Sequence, residues 1–316
     1  MPTALATASL LDDGVRDEIR AIFSTRAAFD EPLAPHTSWK IGGPADALVS
    51  VHDERELAQV MRLCFKRRLP WFVLGSGSNV LVGDGGIRGI VVRLAGSFAD
   101  VSVAVEDERV VVDAGASASM AIVTTKAAAA GAIGIGSLAG IPGTVGGSLR
   151  MNAGTDREIG DFVRDVWVQS PSKPESHPVS VQYYYRHTTL ARDAVVSRVR
   201  LAFECGDPKV VRDEMQGRLV RRKATQPIAL PNAGSCFRNP EGDKAARLIE
   251  AVGAKGWRVG GAEVSSLHAN FITNVEGARA RDVATLLARV RRAVFEQFGT
   301  ELQLEVHLVG VFIDEA

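Results

Sequence analysis

The chain has 316 residues, enough for two or three domains of ordinary size, and its 37 Lys and Arg balance 37 Asp and Glu, so it carries no net charge. No basic field is available for nucleic acid or an anionic membrane surface, and neither is expected as a partner. Three cysteines far apart in sequence, without a CxxC pair, exclude a disulfide framework and a zinc ribbon; with an acid-bearing N-terminus and no apolar run near the roughly 20 residues of a membrane helix, they fit a cytoplasmic protein.

Val15, Ile19, Ile22 and Phe23 have helical spacing and predict an amphipathic helix over about 12–28, read as a leader that ends near residue 32. From Thr37 to Val51 the chain reads as a loop with paired glycines and then an apolar strand. Asp53 and Glu56 have capping-box spacing, and Leu57, Val60, Met61 and Cys64 share one face of a helix to about Arg68. The strand LPWFVLG completes a βαβ unit, and the loop Gly75, Ser76, Gly77, Ser78, Asn79 after it lies where such units bind ligands. GSGSN is not GxGxxG, and no helix-forming run follows, so a Rossmann dinucleotide site is not expected. Strands follow at 89–94, 99–107 and 109–115, the last two as a hairpin, and then an alanine-rich helix over Ser117 to Ala130 stopped by Gly131.

The stretch from Leu138 to Gly154, LAGIPGTVGGSLRMNAG, is a concentration of glycine and other small residues. It reads either as a nest whose backbone N–H groups meet a phosphate or as a tight structural loop. VRDVWVQS and HPVSVQ predict strands separated by a turn rich in Pro and Ser, and Val199, Leu201 and Phe203 a third. At 205–208 the pattern changes, with Asp207 as N-cap and Pro208 opening a helix to about Lys223. A division there gives a leader at 1–32, an α+β domain at 33–204 with subdomains of about 33–94 and 95–204, and a C-terminal α+β domain at 205–316. That last part is expected to hold helices near 245–252, closed by Gly253, and 282–298, and an alternating strand, ELQLEVHLVGVFI, with Glu301, Gln303, Glu305 and His307 on one face.

Several residues could carry chemistry. Arg186, after Tyr185, offers a planar fork for a carboxylate or enolate, or is an ordinary surface arginine. Ser235 in GSCFRNP could reach a reacting atom from its glycine-bounded turn, or only satisfy turn backbone. Its neighbour Cys236 is a rival nucleophile without a nearby base, and lone cysteines are usually buried. Glu305 is either a solvated residue of an alternating strand, which period two favours, or a partly buried acid with a raised pKa. His268 and His307 lack a third ligand at useful spacing, so no metal is expected. The basic run from Arg218 to Lys223 is either a solvated helix face or a hold for a diphosphate.

In this order over residues 37–310, TSWKIGGPAD, LGSGSNVLV, GIPGTVGG with MNAG, YRHT, NAGSCFRNP, GGAEVSSLHANFITN and LEVHLVG resemble the UDP-N-acetylenolpyruvoylglucosamine reductases of peptidoglycan synthesis. The short interval from Arg186 to Ser235 resembles the branch without a tyrosine-bearing insertion. The resemblance implies an α+β fold: an FAD-binding domain of the p-cresol methylhydroxylase or vanillyl-alcohol oxidase type, in two α+β subdomains, and then a substrate domain. It implies that NADPH reduces FAD, whose N5 hydride reduces the enolpyruvyl ether of UDP-N-acetyl-enolpyruvoylglucosamine to the lactyl ether of UDP-N-acetylmuramate.

Carried over by motif, Arg186 would stabilise the developing enolate, Ser235 would donate the proton, and Glu305 would orient or polarise the carboxyl end. Gly75, Ser76, Gly77, Ser78 and Asn79, with Gly140, Ile141, Pro142, Gly143, Gly146 and Gly147, would hold the FAD pyrophosphate; Tyr185, Lys223 and Asn239 would serve the substrate. The sequence departs from the family pattern at Arg238, in place of the lysine of FKNP, at Thr188, in place of a serine, and at Gly136, near which an acid often stands. The expected partner is a small nucleotide sugar and the expected state a monomer. The alternatives are a flavin oxidase of an alcohol or sugar, and a nucleotide-sugar-binding module without redox chemistry.

Overall fold

The computed structural model describes residues 9–313. Its N-terminal unit is a four-stranded sheet of β1 (Ala27–Pro32), β2 (Pro44–Val51), β3 (Trp71–Val73) and, beyond the short β4 (Val80–Val82), β5 (Ile87–Leu94), in the order β1-β2-β5-β3. β2 and β5 are near-continuous apolar runs because they are parallel neighbours covered on both faces. Helices α1 (Asp13–Phe23) and α2 (Glu54–Arg67) pack Val15, Ile19, Phe23, Leu57 and Met61 against Val49, Ile90 and Val92. Asp53 caps α2 by accepting from the N–H groups of Arg55 and Glu56. Glu56 turns back one residue further than a capping box requires, to the His52 N–H, and pairs with Arg26.

The expected leader is not a separate element. α1 ends at Phe23, its apolar side belongs to the core, and residues 27–32 form β1, antiparallel to β2. Ala27 and Ala28 favour helix locally, but the open edge of β2 gives them a ladder, and tertiary pairing overrides propensity.

The middle unit is a five-stranded antiparallel sheet of β6 (Val101–Glu106), β7 (Arg109–Gly115), β8 (Val163–Ser170), β9 (Lys173–Val179) and, after the two-residue strands β10 (Tyr183–Tyr184) and β11 (His187–Thr188), β12 (Val195–Glu204); its order is β6-β7-β12-β8-β9. β9 begins at Lys173, earlier than expected, and tolerates Pro174 and Pro178 because it is an edge strand. α3 (Met120–Ala129) ends before Gly131 as predicted, while the glycine-rich stretch contains a helix, α4 (Val145–Arg150), whose N-cap Thr144 accepts from the Gly147 N–H. Helix α5 (Pro208–Thr225) starts on the Asp207 cap, but Val211 and Met215 pack into the middle unit's core. By packing, α5 goes with the middle unit, not with the C-terminal one to which a division at residue 205 assigns it.

The C-terminal unit sets α6 (Ala245–Ala251) and α7 (Ala280–Phe298) against a sheet of β13 (Asn232–Ser235), β14 (Arg258–Val259), β15 (Ala262–Val264) and β16 (Phe271–Asn274), in the order β13-β16-β15-β14. The long alternating strand expected over 301–313 shrinks to β17 (His307–Val309), which pairs in parallel with β4 of the N-terminal unit. The chain before it is held to 236–238 by isolated contacts.

The units interlock. Trp39, Ile41 and Leu81 come from the N-terminal part yet are buried in the C-terminal core. Trp39 Nε1 donates to the Ile272 carbonyl at 2.8 Å, and Asn274 Nδ2 donates to the Trp39 carbonyl at 3.0 Å. The Asp84 carboxylate accepts from the N–H groups of Ala280 and Arg281 at 2.8 and 3.0 Å, so one unit caps the first turn of a helix in another. No helix of the described residues is long and apolar enough to cross a membrane.

Trp39→Ala should lower stability by about 3–5 kcal/mol, because it opens a cavity and leaves the Ile272 carbonyl unpaired. Urea unfolding followed by circular dichroism measures this, and a loss below about 1 kcal/mol would show that the anchor is dispensable.

Candidate active site

Two loops form one wall of the site. Gly75–Asn79 joins β3 to β4, and residues 140–144 lead into α4. Ser78 Oγ donates to the Pro142 carbonyl at 3.0 Å, and a Cβ on Gly75 would stand 3.0 Å from Thr144 Oγ1. Gly77 has φ +64°, and a Cβ there would stand 2.5 Å from the His36 carbonyl oxygen, so the turn requires glycine. Among the described residues no protein group accepts from the backbone N–H of Ser76, Gly77 or Ser78. Consecutive free N–H groups at a turn are an anion cradle, and they fit a pyrophosphate.

These loops line a cleft of about 810 Å³. Gly75 through Asn79, Ile141, Pro142, Gly143, Gly146 and Gly147 all border it, and so do Arg186, Ser235 and Glu305. Gly140 does not; with φ +71° it is a turn glycine against which Leu219 and Arg222 of α5 pack.

Arg186 sits in the two-residue turn between β10 and β11, with φ +55°. Its Nε donates to Glu305 Oε1 at 2.8 Å, Nη1 to Glu158 Oε1 at 3.0 Å and Nη2 to the Gly154 carbonyl at 3.0 Å. Both acids are shielded, Glu305 to 17% and Glu158 to 24% side-chain exposure. Burial pushes each carboxyl above its usual range, against the opposing pull of the Arg186 charge. Glu305 is therefore the partly buried acid, not the solvated residue that period two favours: Leu302, Leu304 and Val306 do face the core in alternation, but the opposite face is covered at Glu305 by Arg186.

Ser235 ends β13 just after Gly234, whose φ is +76°. The Glu305 N–H donates to the Cys236 carbonyl at 2.8 Å and the Arg238 N–H to the Gln303 carbonyl at 2.9 Å, which lays the serine segment beside the glutamate. Asn79 Nδ2 donates to the Glu305 carbonyl at 3.1 Å, and the His307 N–H to the Asn79 carbonyl at 3.0 Å, so the first glycine loop is fastened to the segment that bears the acid. Cys236, one residue on, is buried in the C-terminal core, and burial pushes its thiol up to about 12.

The substrate candidates lie outside the lining. The Asn239 N–H donates to Tyr185 Oη at 3.4 Å and Asn239 Oδ1 accepts from the Ala245 N–H at the start of α6; the Tyr185 ring lies 4.8 Å from the Arg186 guanidinium. Lys223 is exposed, while Arg222 and Gln226, a helical turn apart, border the cleft. Burial draws the Arg222 guanidinium below its usual range, and Gln226 Oε1 is buried without a protein partner. Within the basic run Arg218 pairs with Asp156 and Glu214. Sequence reasoning missed Glu158 and Gln226, and within the basic run it favoured Lys223 over Arg222. Arg222 is the inward residue of a run read as one face, and nothing local distinguishes Glu158 among the charges of TDREIGD. His307 borders the cleft, but His268 stacks edge-on to Phe271, and the described residues include no group of three or more His, Cys, Asp or Glu suited to a metal ion.

The architecture is that of a flavoprotein with an FAD-binding domain of the vanillyl-alcohol oxidase type and a smaller C-terminal domain. Residues 45–169 match the FAD binding domain family, and residues 226–309 match the C-terminal domain of UDP-N-acetylenolpyruvoylglucosamine reductase. The UDP-N-acetylenolpyruvoylglucosamine reductase of Anaeromyxobacter sp. strain Fw109-5 is 45% identical over 90% of this chain and 88% of its own. The UDP-N-acetylenolpyruvoylglucosamine reductase 2 of Symbiobacterium thermophilum is 44% identical over 89% and 91%. The crystal structure of the Thermus caldophilus UDP-N-acetylenolpyruvylglucosamine reductase superposes with a TM-score of 0.76 at 34% identity, covering 89% of this chain and 97% of that one. This chain belongs to the UDP-N-acetylenolpyruvoylglucosamine reductase family, and its cofactor is FAD. That membership disfavours both the oxidase and the binding-only alternatives.

Of the three cysteines only Cys205 is exposed, and burial pushes the thiols of both Cys64 and Cys236 up to about 12. Titration with a thiol reagent at pH 8 should therefore label Cys205 alone in the native enzyme, and all three only after unfolding. Loss of activity in proportion to labelling of Cys236 would restore that residue as a nucleophile.

Proposed function

We propose that the chain uses NADPH and FAD to reduce UDP-N-acetyl-enolpyruvoylglucosamine to UDP-N-acetylmuramate, with Arg186, Ser235 and Glu305 as the reacting side chains. The observation that carries this reading is the convergence of these residues, from three distant segments, on the cleft beside the glycine loops. Bound FAD, reduced by NADPH, supplies a hydride to the terminal carbon of the enolpyruvyl group.

The charge that then develops lies next to the substrate carboxylate. The Arg186 guanidinium, held by Glu158 from outside the cleft and by the Gly154 carbonyl, stabilises it in a shielded place where such contacts act most strongly. Ser235 delivers the proton to the adjacent carbon. A serine hydroxyl is a weak acid, and Glu305, whose proton affinity is raised by burial, orients the carboxyl end of the substrate beside it. The free N–H groups of Ser76 to Ser78 take the FAD pyrophosphate. Arg222 and Gln226, inside the cleft, serve the phosphates of the nucleotides better than Lys223 or Asn239.

We place the start of the substrate domain after Thr225, with the two preceding units as the FAD-binding part. The enzyme works in the cytoplasm as a monomer on a small nucleotide sugar; zero net charge speaks against a nucleic-acid or anionic-membrane partner, and no helix of the described residues is long and apolar enough to cross a membrane.

The purified protein should be yellow, NADPH should bleach it without oxygen, and the enolpyruvyl substrate should restore the colour. Protein that stays colourless after FAD is added would overturn the reading. In Ser235→Ala, bleaching by NADPH should keep its rate while reoxidation by the substrate slows by about 100-fold or more, the scale of a lost general acid. Normal turnover in that variant would remove Ser235 as the proton donor.

A further inference from the structure

We infer that Glu158 is a positioning residue for the reduction: it grips the Arg186 guanidinium from outside the cleft, so that the Nε edge remains turned toward Glu305 and the substrate. The inference rests on the reaction proposed above. Glu158 does not border the cleft, whereas Arg186 and Glu305 do, so it acts through the arginine.

The grip is set by a chain of fixed partners. Asn152 is 1% exposed; its Oδ1 accepts from the Gly160 N–H at 3.0 Å, and its Nδ2 donates to the Tyr184 carbonyl at 3.0 Å and to Glu158 Oε2. The backbone donor at Gly160 fixes which way the amide points, so Glu158 must accept from it. Glu158 must also accept from Arg186 Nη1, through Oε1. Only a carboxylate accepts on both sides. A glutamine in its place would turn an N–H toward either Asn152 or Arg186, and one of the two bonds would be lost. Through Tyr184 the same asparagine steadies the turn that carries the arginine.

The charges make the grip consequential. Without Glu158, Arg186 would face one carboxylate, Glu305, and close on it as an isolated shielded pair. The guanidinium would then be spent on Glu305, and less of it would be free for the charge that develops on the substrate. With carboxylates on both sides the arginine is held between them, and it can shift its Nε contact without losing its anchor.

The test uses the full-length flavoprotein and follows each half of the cycle. In Glu158→Gln, FAD content and the rate of bleaching by NADPH should match the wild type, while reoxidation by UDP-N-acetyl-enolpyruvoylglucosamine slows by about 10- to 100-fold, as a displaced positioning contact does. In Glu158→Ala, formate should recover at least fivefold of the lost reoxidation rate, because a small carboxylate accepts on both sides, and formamide should recover none. If Glu158→Gln does not retain FAD, Glu158→Asp, which keeps both acceptors, should retain it and reoxidise faster than Glu158→Ala. Reoxidation within twofold of wild type in the Gln and Ala variants, or equal recovery with formamide, would overturn the inference alone. Failure of the wild type itself to be reoxidised by this substrate would overturn the proposed reaction, and the inference with it.

Discussion

The parallel pairing of β17 with β4 decides where the C-terminal unit meets the N-terminal one, and the candidate site is built on that seam. β4 follows directly after the Gly75–Asn79 loop, and β17 begins two residues after Glu305. Three backbone registers, His307 with Val80, Leu308 with Leu81 and Val309 with Val82, therefore bring the shielded Glu305 segment beside the first glycine loop. Asn79 locks the join through its side-chain and main-chain bonds. Trp39 in the C-terminal core and Asp84 on the first turn of α7 hold the same two units together. A seam so tied makes relative motion of these units costly, which suits a reaction that needs groups from both within a fraction of an ångström.

The other constraint is electrostatic. One guanidinium sits between two carboxylates, all three partly withdrawn from water, and burial raises the proton affinity of both acids. Such an arrangement is a poor source of stability, since desolvation offsets most of the attraction. Its use is directional. Arg186 adopts a left-handed backbone conformation that a residue with a side chain rarely takes, and it is kept there by contacts to Glu158, Glu305 and two backbone carbonyls. The partners hold an expensive conformation because the arginine must point into the cleft.

Much of this was legible in the residues. The capped helix over 54–67, the hairpin of β6 and β7, the Asp207-Pro208 start of α5 and the apolar stripe of α7 rest on local periodicity and capping chemistry, and these survive in the fold. The motifs around GSGSN, GIPGTVGG, YRHT, GSCFRNP and LEVHLVG pointed to the right family. Misreadings came where a distant partner decides the outcome. Ala27 to Pro32 become a strand only because β2 offers an edge, the segment before His307 is irregular because β17 leaves its own unit to pair with β4, and α5 turns Val211 and Met215 toward the middle core.

Taken alone, the sequence determined the locally capped and periodic elements, the glycine loops, the chemical types of the candidate side chains and the family, since each depends on residues near one another in the chain or on short ordered motifs. Only the tertiary structure decided that Glu305 is a shielded acid on Arg186, that Arg222 and Gln226 rather than Lys223 face the cleft, and that Glu158 stands behind the arginine. Burial and charge pairing are properties of surroundings assembled from separate segments, 28 positions apart for Glu158 and Arg186 and 119 for Arg186 and Glu305, and no local pattern carries them.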